Sequence, residues 1–188
     1  KIMKKVLLVL VAVLAFGTSN AQQKYGTFKS GSISSSIDIK TEKVYLNLNE
    51  EGDYGLVLTK SSRTAFVAFL TQSRVKFLEW SGKAVENGVK DMNKDISKIN
   101  IRGVFKYGSW QFGTSPLRTL FYVNKDGSTT FYLYGSKITS SSNKYIKSGS
   151  AMVNLTSDED FNSLVTLMSD DVINSFINEK NQSNELFN

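Results

Sequence analysis

Leu117 to Tyr134 reads Leu-Arg-Thr-Leu-Phe-Tyr-Val-Asn-Lys-Asp-Gly-Ser-Thr-Thr-Phe-Tyr-Leu-Tyr. Two apolar-rich runs flank Asn124-Lys125-Asp126-Gly127-Ser128. Asp-Gly suits a tight turn that needs positive φ, so the stretch reads as an antiparallel hairpin. Neighbouring strand residues face opposite sides of a sheet. With Phe121, Val123, Phe131 and Leu133 directed at a core, Tyr122, Tyr132 and Tyr134 must face away from it. The hairpin therefore predicts a sheet with one packed side and one tyrosine-bearing side.

The same period recurs upstream. Ile33, Ile37 and Ile39, then Val44, Leu46 and Leu48, then Tyr54, Leu56 and Leu58 alternate with polar residues. Thr41-Glu42 and Glu50-Glu51-Gly52-Asp53 separate them as turns, giving a three-stranded meander. Gln22 to Ser30 is polar and reads as a loose lead-in. From Ile99 alternation returns in Ile101, Phe105 and Tyr107, and Trp110 and Phe112 follow Gly108. Pro116 is expected to open the strand ending at Val123, where a missing N–H is tolerated. Thr139 to Ser150 is serine-rich without a period and reads as a mobile surface loop or flap, and Ser150 to Leu155 as the last strand.

Two segments switch to helical spacing. After Ser61-Ser62, an expected N-cap, Phe66, Phe69, Leu70, Phe77, Trp80 and Ala84 fall within a stripe about 100° wide. Glu79 and Lys83 are an i,i+4 pair in the favourable order on the other side. Thr156-Ser157-Asp158-Glu159 is a capping signal, and Phe161, Leu164, Val165, Met168, Val172 and Phe176 form one stripe behind it. The expectation is an α+β fold in the order β-β-β-α-β-β-β-β-β-α. It is an antiparallel meander sheet of about seven or eight strands, with two amphipathic helices on one face. Leu58-Thr59-Lys60 before Phe66 echoes Leu155-Thr156-Ser157 before Phe161, as a duplicated strands-then-helix unit would.

The segment before the sheet is an address. Met3-Lys4-Lys5 is followed by an unbroken apolar run from Val6 to Phe16, then Gly17-Thr18-Ser19-Asn20-Ala21. Small Ser19 and Ala21 occupy positions −3 and −1 of a cleavage site before Gln22, the pattern of a secretory signal peptide. Eleven helical residues span about 16 Å, half a bilayer core, which argues against an anchor. Lys1 and Ile2 are expected to precede the natural start. Residues 1–21 are thus read as signal peptide, 22–180 as one domain and 181–188 as a polar tail. With no cysteine after the apolar run, a lipoprotein anchor is excluded. The expected location is the periplasm or the cell exterior, with no membrane span after cleavage.

Composition narrows the chemistry. The chain has neither histidine nor cysteine. Ser-His-Asp and Cys-His units, common zinc and copper sites, disulfides and redox thiols are therefore excluded. Loss of Lys1, Lys4 and Lys5 leaves 20 of the 23 basic residues against 17 acidic ones, net +3. That charge is too small to argue for nucleic acid. The remaining 167 of 188 residues can bury one real core without staples. Ser-x-x-Lys pairs at Ser73/Lys76 and Ser141/Lys144 are no more frequent than chance, and Lys147-Ser148-Gly149 follows Ser141 too closely to complete a serine-lysine enzyme. Asp158, Glu159 and Asp160, and Asp170 with Asp171, have ordinary roles in capping and solvation. No catalytic, metal-ligating or cofactor-binding residue is implied.

The tyrosine-bearing side is the candidate site. Tyr45 and Asn47 from the first meander and Arg102 from the fourth strand are expected to join Tyr122, Tyr132 and Tyr134 on that side. A field of Tyr, Asn and Arg is wet at its tips and apolar at its rings, which suits sugar rings or a protein partner. Lys137, Lys144 and Lys147 around the serine-rich segment offer a weaker polyanion reading. The expected function is an exported, non-catalytic binding or interaction module, its partner a glycan or an envelope protein. Two alternatives stand beside it: a carboxylate-based hydrolase acting on a polysaccharide, and a structural or inhibitory protein pairing through a sheet edge.

Met3 to Gln23, ending Ser19-Asn20-Ala21-Gln22-Gln23, resembles the signal peptides of small exported proteins from Bacteroidota. The body resembles the lineage-restricted uncharacterised proteins of that group, particularly Phe66 to Val89 with its Lys76-Phe77-Leu78-Glu79-Trp80. The resemblance covers a signal and one helix, and implies export without implying an activity or a site.

Overall fold

A computed structural model describes residues 23–27, 33–49, 51 and 53–185. Residues 1–21, read above as a signal peptide, lie outside that set. The strands are β1 (Gln23–Thr27), β2 (Ser34–Asp38), β3 (Lys43–Asn47), β4 (Tyr54–Leu58), β5 (Met92–Tyr107), β6 (Ser109–Val123), β7 (Thr129–Gly135), β8 (Thr139–Ser140) and β9 (Ala151–Asn154). Helix α1 (Lys60–Glu86) separates β4 from β5, and α2 (Asp158–Leu167) and α3 (Asp170–Glu185) follow β9. The fold is α+β, with one nine-stranded antiparallel sheet in the order β1-β2-β3-β4-β5-β6-β7-β9, and β8 pairing with β6 off that path. Among the described residues no helix is long and apolar enough to cross a membrane.

Period-two alternation builds the sheet as expected. In β2 and β3 every second residue is buried, and Ile37 pairs with Val44. The Asp-Gly turn closes β6 onto β7 with Gly127 at φ 88°, and Asp126 Oδ1 accepts hydrogen bonds from the Ser128 N–H and hydroxyl. Those bonds hold the Asp126 carboxyl below its ordinary pKa, the Ser128 side chain contributing most. Phe131 then stands opposite Phe121, and Leu133 opposite Thr119.

The core lies on one side of this sheet, under all three helices. Phe77 of α1 packs on Phe121 and Phe131, and Trp80 meets Phe121 edge-on at 5.7 Å. Phe161 of α2 lies 6.4 Å from Phe131, whereas Phe176 of α3 meets Tyr25 of β1 at 5.1 Å. Together α2 and α3 carry the chain from one end of the sheet towards the other. The aromatic stripe of α1 is core, and these rings bury large apolar area in edge-on and tilted pairs.

Several local expectations change. Gln23–Thr27 is a strand, not a lead-in; it forms the edge next to β2, and its polar sequence hides it. Strand β5 begins at Met92, seven residues before Ile99, because β6 pairs with its polar half. Trp110–Phe112 and Leu117–Val123 belong to one strand, so Pro116 is interior. Its carbonyl accepts from the Ser136 N–H. A strand residue aims its N–H and C=O at the same neighbour, so the absent N–H falls where the chain leaves β7 and no ladder bond is lost.

The N-cap of α1 is Thr59, whose side chain accepts from the Ser62 N–H while the Ser62 hydroxyl accepts from the Thr59 N–H. The second helical stripe is broken at Met168-Ser169 into α2 and α3, and α3 continues to Glu185. Nor is Thr139–Ser150 a loose loop. Ile138, Ser140 and Ser148 are buried, and the Ser140 N–H donates to the Ile146 carbonyl.

Candidate functional site

The side of the sheet away from the helices carries Tyr45, Asn47, Arg102, Tyr122, Tyr132 and Tyr134. Register fixes the arrangement. Arg102 on β5 stands opposite Thr114 on β6, Tyr134 opposite Arg118, and Tyr132 opposite Leu120. Tyr45 pairs with Val57, and Asn47 with Gly55, which in turn faces Val104. All six share one face, but they form two groups. Tyr122 lies eight residues from Thr114 along β6, about 26 Å at the rise of a strand. Tyr122, Tyr132 and Tyr134 make one end of the face; Tyr45, Asn47 and Arg102 belong to the other.

At the tyrosine end the rings support one another. Tyr122 and Tyr132 meet edge-to-face at 5.3 Å, and the Arg118 guanidinium lies 4.8 Å from the Tyr134 ring centre. Arg118 also pairs with Asp95 at 3.3 Å. The three tyrosines are half-buried by these contacts, and Met152 of β9 lies exposed beside Tyr134. At the other end the Asn47 amide donates to the Ser34 hydroxyl at 3.2 Å. Arg102 is exposed and stacks over Phe112 at 5.1 Å.

Beside Arg102 the face dips into a concavity of about 520 Å3, lined by Arg102, Phe112, Gly113, Thr114, Pro116, Lys137, Thr139 and Ser141. Its far wall is the 137–141 segment, held by the Thr114–Thr139 pairing and by Ser141, whose N–H and hydroxyl both donate to the Phe112 carbonyl. Sequence reading placed Arg102 here but missed Phe112, Thr114 and Thr139. The concavity exists only because residues 137–141 fold back on β6, which no periodicity announces. Lys144 and Lys147, grouped with Lys137 in the polyanion reading, are not among its lining residues. A second hollow of about 290 Å3 lies at the end of α1, between Trp80, Ala84, Val89, Met92 and Phe121, with Lys94 4.8 Å above the Trp80 ring.

The carboxylates weighed for catalysis have partners of another kind. Asp158 pairs with Arg74 at 2.7 Å, and Asp170 with Lys60 and Arg63 at 2.9 Å each. Hydrogen bonds from Lys60 first and Arg63 second hold the Asp170 carboxyl below its ordinary pKa. Asp160 accepts from the Ser157 hydroxyl at the start of α2. Among the described residues no group of three or more acids is placed to hold a metal ion. Ser73, of the first Ser-x-x-Lys pair, is buried and donates to the Phe69 carbonyl while accepting from Thr119.

No protein-family model, no curated protein and no solved structure matches this chain.

Proposed function

We propose that the chain is exported and acts as a binding module, engaging a glycan or a protein partner through the helix-free face of its sheet. The observation that carries the reading is the side taken by the helices. All three pack against Phe121, Phe131, Tyr25 and their neighbours, and Tyr122, Tyr132 and Tyr134 stand on the opposite side. Aromatic rings held by neighbours lose little freedom on binding, and rings with polar tips are favoured as binding anchors. The face is also ready-made, because its tyrosines are braced by one another and by Arg118.

A glycan array comparing wild type with a Tyr122→Ala/Tyr132→Ala/Tyr134→Ala variant tests the sugar form of this reading. Saccharide signal above background that falls by about tenfold or more in the variant is expected. Equal signal from both proteins would remove it.

A further inference from the structure

We infer that the concavity beside Arg102 takes the acidic group of an anionic saccharide, a ring bearing a carboxylate or a sulfate. This rests on the glycan form of the proposed function and adds, at the arginine end of the face, a contact for the charged substituent.

Charge points there first. The chain has four arginines, Arg63, Arg74, Arg102 and Arg118. Arg63 is paired with Asp170, Arg74 with Asp158 and Arg118 with Asp95. Among the described residues Arg102 makes no ion pair, and neither does Lys137 across the hollow. The lining contains both cations and no acid. A guanidinium offers a flat fork of donors that fits a carboxylate or sulfate with two parallel bonds. Phe112 lies beneath Arg102, its ring centre 5.1 Å from the guanidinium carbon.

The remaining wall suits a sugar. Thr114 and Thr139 stand side by side in the β6–β8 pair and bring two hydroxyls to one rim, beside Ser141, whose own hydroxyl is held by the Phe112 carbonyl. Gly113 and Pro116 contribute no bulky side chain. Trp110 precedes Phe112 by two residues, on the same face, opposite Lys106 and 58% exposed. A flat ring laid along Trp110 and Phe112 would direct an acidic substituent between Arg102 and Lys137. The volume of about 520 Å3 falls in the range of small-ligand sites.

The experiment measures binding of the purified protein to polygalacturonate, dextran sulfate and neutral dextran, with inorganic sulfate as a fourth probe. Polygalacturonate against dextran sulfate separates the carboxylate source from the sulfate source. Two variants accompany wild type: Arg102→Gln/Lys137→Gln, and Lys40→Gln/Lys125→Gln, which removes the same charge elsewhere. All four side chains are exposed, so both variants keep the core. Wild type is expected to bind at least one acidic polymer, and to bind it about tenfold or more weakly in Arg102→Gln/Lys137→Gln alone. Equal weakening in both variants would overturn the inference, because net charge would then explain the binding. Equal binding to neutral dextran, unchanged in Arg102→Gln/Lys137→Gln, would overturn it and leave glycan binding standing. Binding of inorganic sulfate alone would reduce the site to a simple anion hole, against the inference. Silence from both acidic polymers would overturn this inference, while the glycan array with the tyrosine variant decides the glycan form of the function separately.

Discussion

Two arginines join the layers of this fold, and neither was visible in the pattern of the sequence. Arg74 is buried on α1 between the rings of Phe77, Phe131 and Phe161, at 5.1, 5.8 and 5.5 Å. Its guanidinium donates to the carbonyls of Leu155 and Thr156 and to Asp158. Arg63, only 2% exposed, donates to the Glu42 carbonyl and to Asp170. So α1 is tied to the start of α2 by one residue, and to the β2–β3 turn and α3 by the other. A hydrophobic-stripe argument assigns such residues to the wet side, because it scores the charged tip and ignores that rings and carbonyls can satisfy it. Replacing Arg74 by Met should cost about 2–4 kcal/mol, since buried carbonyls lose charged donors while the space stays filled. Replacing Asp158 by Asn should cost under about 1 kcal/mol, since that carboxylate is 83% exposed. Urea denaturation midpoints of the two variants check the ordering. Equal losses would mean that the surface ion pair, not the carbonyl grip, holds the junction.

At the level of elements, the alternating strands and both apolar stripes were legible because burial on one side alone imposes a period. What escaped was structure whose reason is a neighbour rather than a period. Polar β1 is a strand because β2 offers it a ladder, and the first half of β5 because β6 continues beside it. The clearest case is β8. Serine-rich residues 139–150 read as loop, yet Gly113 lets the chain approach so closely that a Cβ there would lie 2.1 Å from the Thr139 carbonyl oxygen. Backbone cannot yield as a flexible side chain does. Gly113→Ala should therefore push β8 off β6 and lower stability by about 1–3 kcal/mol, the usual range for an overpacked site. The loss should be local. In hydrogen exchange the amides of Ser140, Ser141 and Ser148, which donate to Ile146, Phe112 and Ile138, should lose protection. Those of the β6–β7 ladder around Phe121 and Phe131 should keep it. Uniform loss across both groups would show that β8 is integral to the core and not an attached flap. The concavity beside Arg102 is built on this same contact, which is why sequence reading found one of its walls and not the other.

For the whole molecule, the arrangement follows from a single asymmetry. Every described helix goes to one side of the sheet, and the other side carries Tyr45, Asn47, Arg102, Tyr122, Tyr132 and Tyr134 around the buried Val57, Val104 and Leu120. A sheet so built presents an open, polar and aromatic surface that an exported protein can offer to what surrounds the cell, and the proposed export is the part of this picture that can be checked first. Ser19 and Ala21 fit the small-residue requirement of signal peptidase, and the apolar run from Val6 to Phe16 is too short to stay in a bilayer. The protein recovered from the periplasm or the medium should therefore begin at Gln22, by intact mass and N-terminal sequencing. Ala21→Asp should block that cleavage and give the intact mass of the uncleaved chain, since a charged residue does not fit where a small one is required. A secreted chain that still carries Met3-Lys4-Lys5, or a wild-type chain found only in the cytoplasm, would contradict export. The open face would then need a partner inside the cell, and the argument for a saccharide, which depends on meeting one outside, would lose its ground.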